Sequence, residues 1–155
     1  MPSEPQMKGE KAADVTIPTI ERILVPVDRT PLSMKAANYG IHLAEVERAK
    51  ELIIMHVVDM KQGGANGLME VSSAEEMIKP IEEEAKKKGI NIKSEIKYAE
   101  GKSVVKSITE YANKNHIDLI VIGGGDVSQR TYLIVGWGVA MDVFKKSQCP
   151  VLVMR

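Results

Sequence analysis

Residues 22–44 read RILVPVDRTPLSMKAANYGIHLA, and this stretch decides the fold. Ile23 to Val27 is a continuous apolar run closed by Asp28. A run with no polar alternation is the signature of a strand covered on both faces. Thr30 then precedes Pro31, the pairing of a helix N-cap with a first helical position. Met34, Ala37, Ile41 and Ala44 follow at spacings of three and four, which places them on one helical face. A buried strand, a short acidic turn and an amphipathic helix are the opening of a βαβ unit.

The same unit recurs downstream. Leu52 to Val58 (LIIMHVV) is a second buried run, followed by a glycine-bearing stretch, Lys61 to Ser72, with Gly63, Gly64 and Gly67. Ser73 and Glu76 have capping-box spacing and Gly89 is placed as a stop, so a helix is expected between them. Ile90 to Tyr98 alternates: Ile90, Ile92, Ile96 and Tyr98 share one face, and Lys93, Glu95 and Lys97 the other. A strand polar on one side belongs at an edge or under partial cover. A helix over Ser103–Asn115 buries Val104, Ile108, Tyr111 and Ala112. A fourth run, Asp118 to Ile122, ends in Gly123-Gly124-Gly125-Asp126. The last helix is expected over Tyr132–Lys146, before a final strand at Val151–Met154.

Strand starts lie about 30 residues apart, the length of a βαβ unit. Five such strands separated by four helices give an α/β fold, an open five-stranded parallel sheet with helices on both faces. Ligands of such sheets bind beyond the carboxyl ends of the strands, where the strand order reverses. That rule points to Asp28, to Val58-Asp59, to Glu100-Gly101 and to residues 123–126.

A chain of 155 residues has room for one domain. Residues 1–20 hold three of the seven prolines and little apolar periodicity. They read as an N-terminal tail, mobile to about Asp14, with Val15, Ile17 and Ile20 available to dock; residues 21–155 form the domain. Lys plus Arg and Asp plus Glu number 21 each, which removes any global attraction for nucleic acid or an anionic membrane. The single Cys149 excludes an internal disulfide and a cysteine-built zinc site within one chain. No apolar run reaches the roughly 20 residues of a membrane span, and Met1 to Glu10 lacks the apolar centre of a secretory leader. A cytoplasmic protein is the resulting expectation.

Several residues together carry a family resemblance: ILVPVDRT at 23–30, IIMHVVD at 53–59, Gly101 before the third helix and CPVLVMR at 149–155. Over Arg22 to Arg155 the chain resembles the universal stress protein family. The resemblance implies a Rossmann-like sheet with strand order 3-2-1-4-5 and homodimers that pair their last strands, here Val151, Leu152, Val153 and Met154. It also implies an adenine-nucleotide pocket lined by Pro26, Val27, Asp28, Val57, Ile122, Gly123 and Gly136. The ATP-binding branch carries a signature of Gly, two residues, Gly, nine residues, Gly and then Ser or Thr. Placed here without gaps, it starts at Gly123, meets Asp126 at the second glycine and Gly136 at the third, and ends on Trp137. An aspartate and a bulky indole thus replace a bare backbone and a hydroxyl donor where phosphates would rest. ATP in the usual pose is not expected on this reading. The expected function is a dimeric binding or regulatory module with an unidentified protein partner. AMP, adenosine or a related nucleotide in the retained nucleoside half of the pocket is the alternative. Weak ATP hydrolysis is the enzymatic alternative, with Arg130, Lys145 and Lys146 as the cations available to offset Asp126.

Other features read more simply. Asp28, Asp59 and Asp126 invite a divalent-cation reading, but pocket, loop-cap and Arg130-pairing roles account for them. Trp137, Ala140 and Phe144 make an i, i+3, i+7 stripe suited to packing, or the indole fills the vacated phosphate site. Residues 123–126 lack the spacing of a Walker loop or a dinucleotide fingerprint. His42, His56 and His116 have no metal spacing; His56 reads as a hydrogen-bonded group at the core or pocket edge. Met60, Met69 and Met77 flank the glycine-bearing stretch as adaptable filler or a partner surface. A phosphoacceptor domain would need an acidic pair after the first strand, and only Asp28 is present.

Overall fold

The computed structural model describes residues 15–58, 67–99, 102–124 and 137–155. Five strands run parallel in the order β3-β2-β1-β4-β5: β1 (Arg22–Pro26), β2 (Glu51–Val58), β3 (Ile92–Tyr98), β4 (Leu119–Gly123) and β5 (Val151–Met154). Four helices connect them: α1 (Pro31–Val46), α2 (Gly67–Lys87), α3 (Val104–Lys114) and α4 (Trp137–Lys146). The expected α/β sheet and its strand order are both present, with β3 at one edge and β5 at the other.

Side-chain alternation along the central strands builds two cores. Ile23, Val25, Leu52, Ile54 and Val121 face α1 and α2, where Ala36, Ala37, Ile41, Ile78 and Ile81 meet them. Leu24, Ile53, Met55, Ile120 and Ile122 face α3 and α4, against Val105, Ile108, Tyr111, Ala140 and Val143. Every residue of β1 from Ile23 to Pro26 is buried, which is why its sequence shows no polar alternation.

Hydrogen bonds to one carboxylate and one guanidinium join the amino ends of the strands. Asp118 Oδ2 accepts the backbone N–H groups of Glu21 and Arg22, each at 2.9 Å. Arg22 donates to Glu51 and, at 2.7 Å, to the Asn115 carbonyl. The carboxyl ends are left to do something else.

Three helices end in the same way. Ala49, Ile90 and Ile117 each donate a backbone N–H to a carbonyl five residues back, while Arg48, Gly89 and His116 close the inner bond. The residue at the turn takes a positive φ: 52° at Arg48, 71° at Gly89 and 52° at His116. Gly89 is therefore the stop expected from the sequence. Arg48 and His116 hold a conformation that costs a residue with a Cβ about 1 kcal/mol or more. Arg48→Gly and His116→Gly are each expected to stabilise the fold by about 0.5 kcal/mol, after the extra chain entropy of glycine is subtracted. Denaturant midpoints compared at unchanged slope measure this.

Three expectations need correction. Ser73 does not cap α2, which begins six residues earlier, at Gly67. The buried and half-buried positions Val71, Ala74, Ile78, Ile81 and Ala85 keep one helical stripe running upstream of Ser73. The Ser73 hydroxyl instead accepts from the Arg29 guanidinium. On α4 the proposed packing stripe fails at Phe144, which is 55% exposed; Ala140 and Val143 are the buried pair. Of the three residues expected to dock ahead of β1, Val15 and Ile17 are exposed and Ile20 alone packs on the core.

Candidate functional site

Strand order reverses between β1 and β4, so their carboxyl ends diverge to opposite connections and leave a notch. Pro26 closes β1 opposite Met55 of β2. The next residue, Val27, is 5% exposed and still bound to β2: its N–H donates to the Met55 carbonyl at 2.8 Å. The Val27 carbonyl lies 2.8 Å from His56 Nδ1. A carbonyl only accepts, so Nδ1 carries the proton and a neutral ring keeps its lone pair on Nε2. His56 is thus the hydrogen-bonded pocket-edge group expected of it.

Asp28 leaves the sheet and starts a compact knot at the amino end of α1. Its N–H donates to Ser33 Oγ at 2.7 Å, and its Oδ1 accepts the Thr30 N–H at 2.9 Å and the Thr30 hydroxyl at 2.5 Å. Thr30 Oγ1 in turn accepts the Ser33 N–H at 3.3 Å, the N-cap bond expected from the Thr-Pro pair. Oδ1 is fully used by this knot, whereas Oδ2 accepts from no described residue. The side chain of Asp28 is exposed and held in a fixed orientation.

Gly123 completes the notch from the other side. A Cβ built there would lie 2.8 Å from the Leu32 carbonyl carbon and oxygen and from the Ser33 nitrogen. The first turn of α1 therefore rests directly on the end of β4. Gly124 extends the pairing to β5, with its N–H on the Met154 carbonyl at 2.8 Å. Extending the β1–β2 register two residues past Pro26 sets Asp28 level with half-buried Val57.

Pro26, Val27, Asp28 and Gly123 thus meet at the strand ends, with Val57 alongside. Ile122 differs: it is 5% exposed and packs with the α3–α4 core, so it supports the notch from beneath. Asp59, Asp126, Arg130 and Gly136 lie outside the described residues. So do Met60 and the Asp28–Asp59–Asp126 grouping that suggested a cation site. Trp137 is the first residue of α4. Sequence reasoning passed over Ser33, whose 3%-exposed hydroxyl ties the strand end to the helix. Its sequence trace is only its spacing, three residues after the N-cap threonine and five after the acid that closes the strand, which fits an ordinary first-turn serine equally well.

The universal stress protein family model matches residues 19–155. The chain belongs to the universal stress protein family. Family members at the level of sequence include Universal stress protein YxiE of Bacillus subtilis, 32% identical over 149 residues, covering 86% of this chain and 98% of the relative. Universal stress protein MJ0531 of Methanocaldococcus jannaschii is 31% identical over 144 residues, covering 87% and 82%. Among solved structures, universal stress protein UspA from Lactobacillus plantarum superposes with a TM-score of 0.73 at 23% identity, covering 90% of this chain and 100% of the other. A universal stress protein in complex with cAMP gives 0.66 at 20% identity, covering 88% and 97%. One from Archaeoglobus fulgidus in complex with dAMP gives 0.65 at 20%, covering 88% and 99%. These structures share the fold. No described helix is long and apolar enough to cross a membrane.

Proposed function

We propose that this universal stress protein is a regulatory binding module that takes an adenine nucleoside or its monophosphate at the β1–β4 notch. The reading further holds that Asp126 and Trp137 keep a triphosphate out. One observation carries the nucleoside half: Asp28 is locked through Oδ1 by Thr30 and leaves Oδ2 as an acceptor beside Val27 and Val57. A fixed carboxylate next to apolar walls suits a ribose hydroxyl and a flat base. The relatives solved with cAMP and dAMP support an adenine ligand for the fold. Isothermal titration with adenosine, AMP and ATP is the test. Saturable heats are expected for the first two and binding at least about tenfold weaker for ATP, a gap of about 1.4 kcal/mol. Flat traces for all three ligands reject the reading.

The module is further proposed to work as a homodimer joined through β5. Ile120 donates to the Pro150 carbonyl and Gly124 to that of Met154. A parallel strand alternates, so Val151 and Val153 turn their backbone groups to the open edge. All four residues of β5 stay half-exposed in the single chain, as an edge awaiting a partner would. Val153→Pro removes an outward N–H, and proline is tolerated on an edge strand. The expected result by sedimentation velocity is a dimer for the parent at tens of micromolar and a folded monomer for the variant. A monomeric parent rejects the pairing.

A further inference from the structure

We infer that the cleft between α3 and the open face of β3 binds a small elongated polyanion, a ligand with two or more linked phosphates, independently of the strand-end notch. The cleft holds about 190 Å³. It exists because α3 packs over β2 and stops short of the edge strand. The polar face of β3, with Lys93, Glu95 and Lys97, is left open.

Three elements each bring an ammonium to this cleft. Lys97 comes from β3, Lys102 from the segment before α3, and Lys114 from the last turn of α3. Its floor is apolar: Met55 is fully buried and Tyr111 is 9% exposed. Lys97 Nζ stands 5.8 Å from the centre of the Tyr111 ring. A cation held against an aromatic face over an apolar floor loses part of its hydration, so a counter-anion gains more there than on an open surface.

Among the described residues, the acids leave this charge in excess. Glu110 is the carboxylate among the described lining residues, and it is already shared by Lys102 at 2.8 Å and Lys106 at 3.8 Å. The Lys102 hydrogen bond holds its carboxyl below the usual carboxylate range, so it stays ionised and committed. Glu95 is divided between Lys93 at 3.0 Å and Lys97 at 3.5 Å. Lys114 makes no ion pair with a described residue. The Ser107 hydroxyl is used on the Ser103 carbonyl at 3.2 Å, which leaves the lysines as the anion donors.

Geometry sets the length of the ligand. Lys102 Nζ reaches back to Glu110, which lies one turn, about 6 Å, before Lys114 on α3. Lys97 stands over the Tyr111 ring, beside Glu110 on the same stretch of helix. A single phosphate engages one ammonium, whereas a linked pair or triplet engages two or three at once.

The test is a nuclear magnetic resonance titration at about 0.15 M ionic strength, where loose surface attraction is screened. The probes are inorganic tripolyphosphate and orthophosphate. Tripolyphosphate is expected to saturate at least about tenfold more tightly than orthophosphate, with shifts centred on Lys97, Tyr98, Ser107 and Tyr111. Lys97→Ala with Lys114→Ala removes the saturable binding while the remaining spectrum stays folded. Lys114→Glu alone weakens it by about tenfold or more. The control Lys86→Ala with Lys87→Ala, on α2, leaves it unchanged. Equal affinity for the two probes overturns the inference. Equal losses in the α2 control, or shifts centred on Asp28 and Gly123, also overturn it. The notch reading stands or falls separately, because its ligands carry a nucleoside and these probes do not.

Discussion

Asp126→Gly combined with Trp137→Ser is expected to raise ATP affinity by two to three orders of magnitude while AMP changes by less than about threefold. The size follows from Coulomb's law: a carboxylate about 4 Å from a phosphate oxygen repels it by about 4 kcal/mol at an effective dielectric of 20. That converts to roughly a thousandfold in affinity, and screening by salt lowers it toward a hundredfold. The serine adds a hydroxyl donor and removes the bulk of an indole. On the proposed placement AMP carries no phosphate that would reach Asp126, so its affinity is expected to be spared. Calorimetry on the parent and double variant checks both numbers. An ATP affinity that does not move would mean that the signature at Gly123 and Gly136 has been placed wrongly.

Gly123→Ala is expected to be the most damaging one-methyl change at the notch, costing about 2–3 kcal/mol and roughly 5–10 °C in Tm. All three atoms its Cβ would meet at 2.8 Å are backbone atoms of Leu32 and Ser33, and none can rotate away. Relief requires α1 to lift from β4, which also shifts Ser33 and with it the Asp28–Thr30 knot. Nucleoside binding should therefore fall together with stability. Gly138→Ala is the matched control. Its Cβ would meet nothing within 4 Å on α4, so the helix should gain up to about 1 kcal/mol. Thermal melts of the two variants are expected to move in opposite directions. A Gly123→Ala protein melting within a degree of the parent would show that α1 is free to retreat.

The central strands were legible because their side chains are buried on both faces, which removes every polar residue from Ile23 to Val27 and from Leu52 to Met55. The edge position of β3 was legible for the opposite reason: its Lys-Glu-Lys face is the one α3 does not cover. The start of α2 was misplaced because Ser73 and Glu76 mimic a cap, although the stripe from Val71 already ran through them. Phe144 misled because it completes an i, i+3, i+7 spacing with Trp137 and Ala140, whereas the buried residues of α4 are Ala140 and Val143, at i and i+3. At the notch, Asp28 could be named from its place after a strand, and Val27 from the family resemblance. The role of Ser33 could not, since its bond to the Asp28 N–H depends on how α1 folds back over the strand. The lysine cleft was equally hidden. Lys97, Lys102 and Lys114 are scattered in a chain of balanced charge and meet only through the crossover of α3.

The most direct test of the notch is a crystal of the protein grown with ATP and, in parallel, with AMP at equal concentration. The expected maps place adenosine monophosphate between Val27, Asp28 and Val57 in the second crystal and leave no ordered triphosphate in the first. A well-ordered triphosphate whose terminal phosphate sits against the Asp126 carboxylate and the Trp137 indole would contradict the proposal outright.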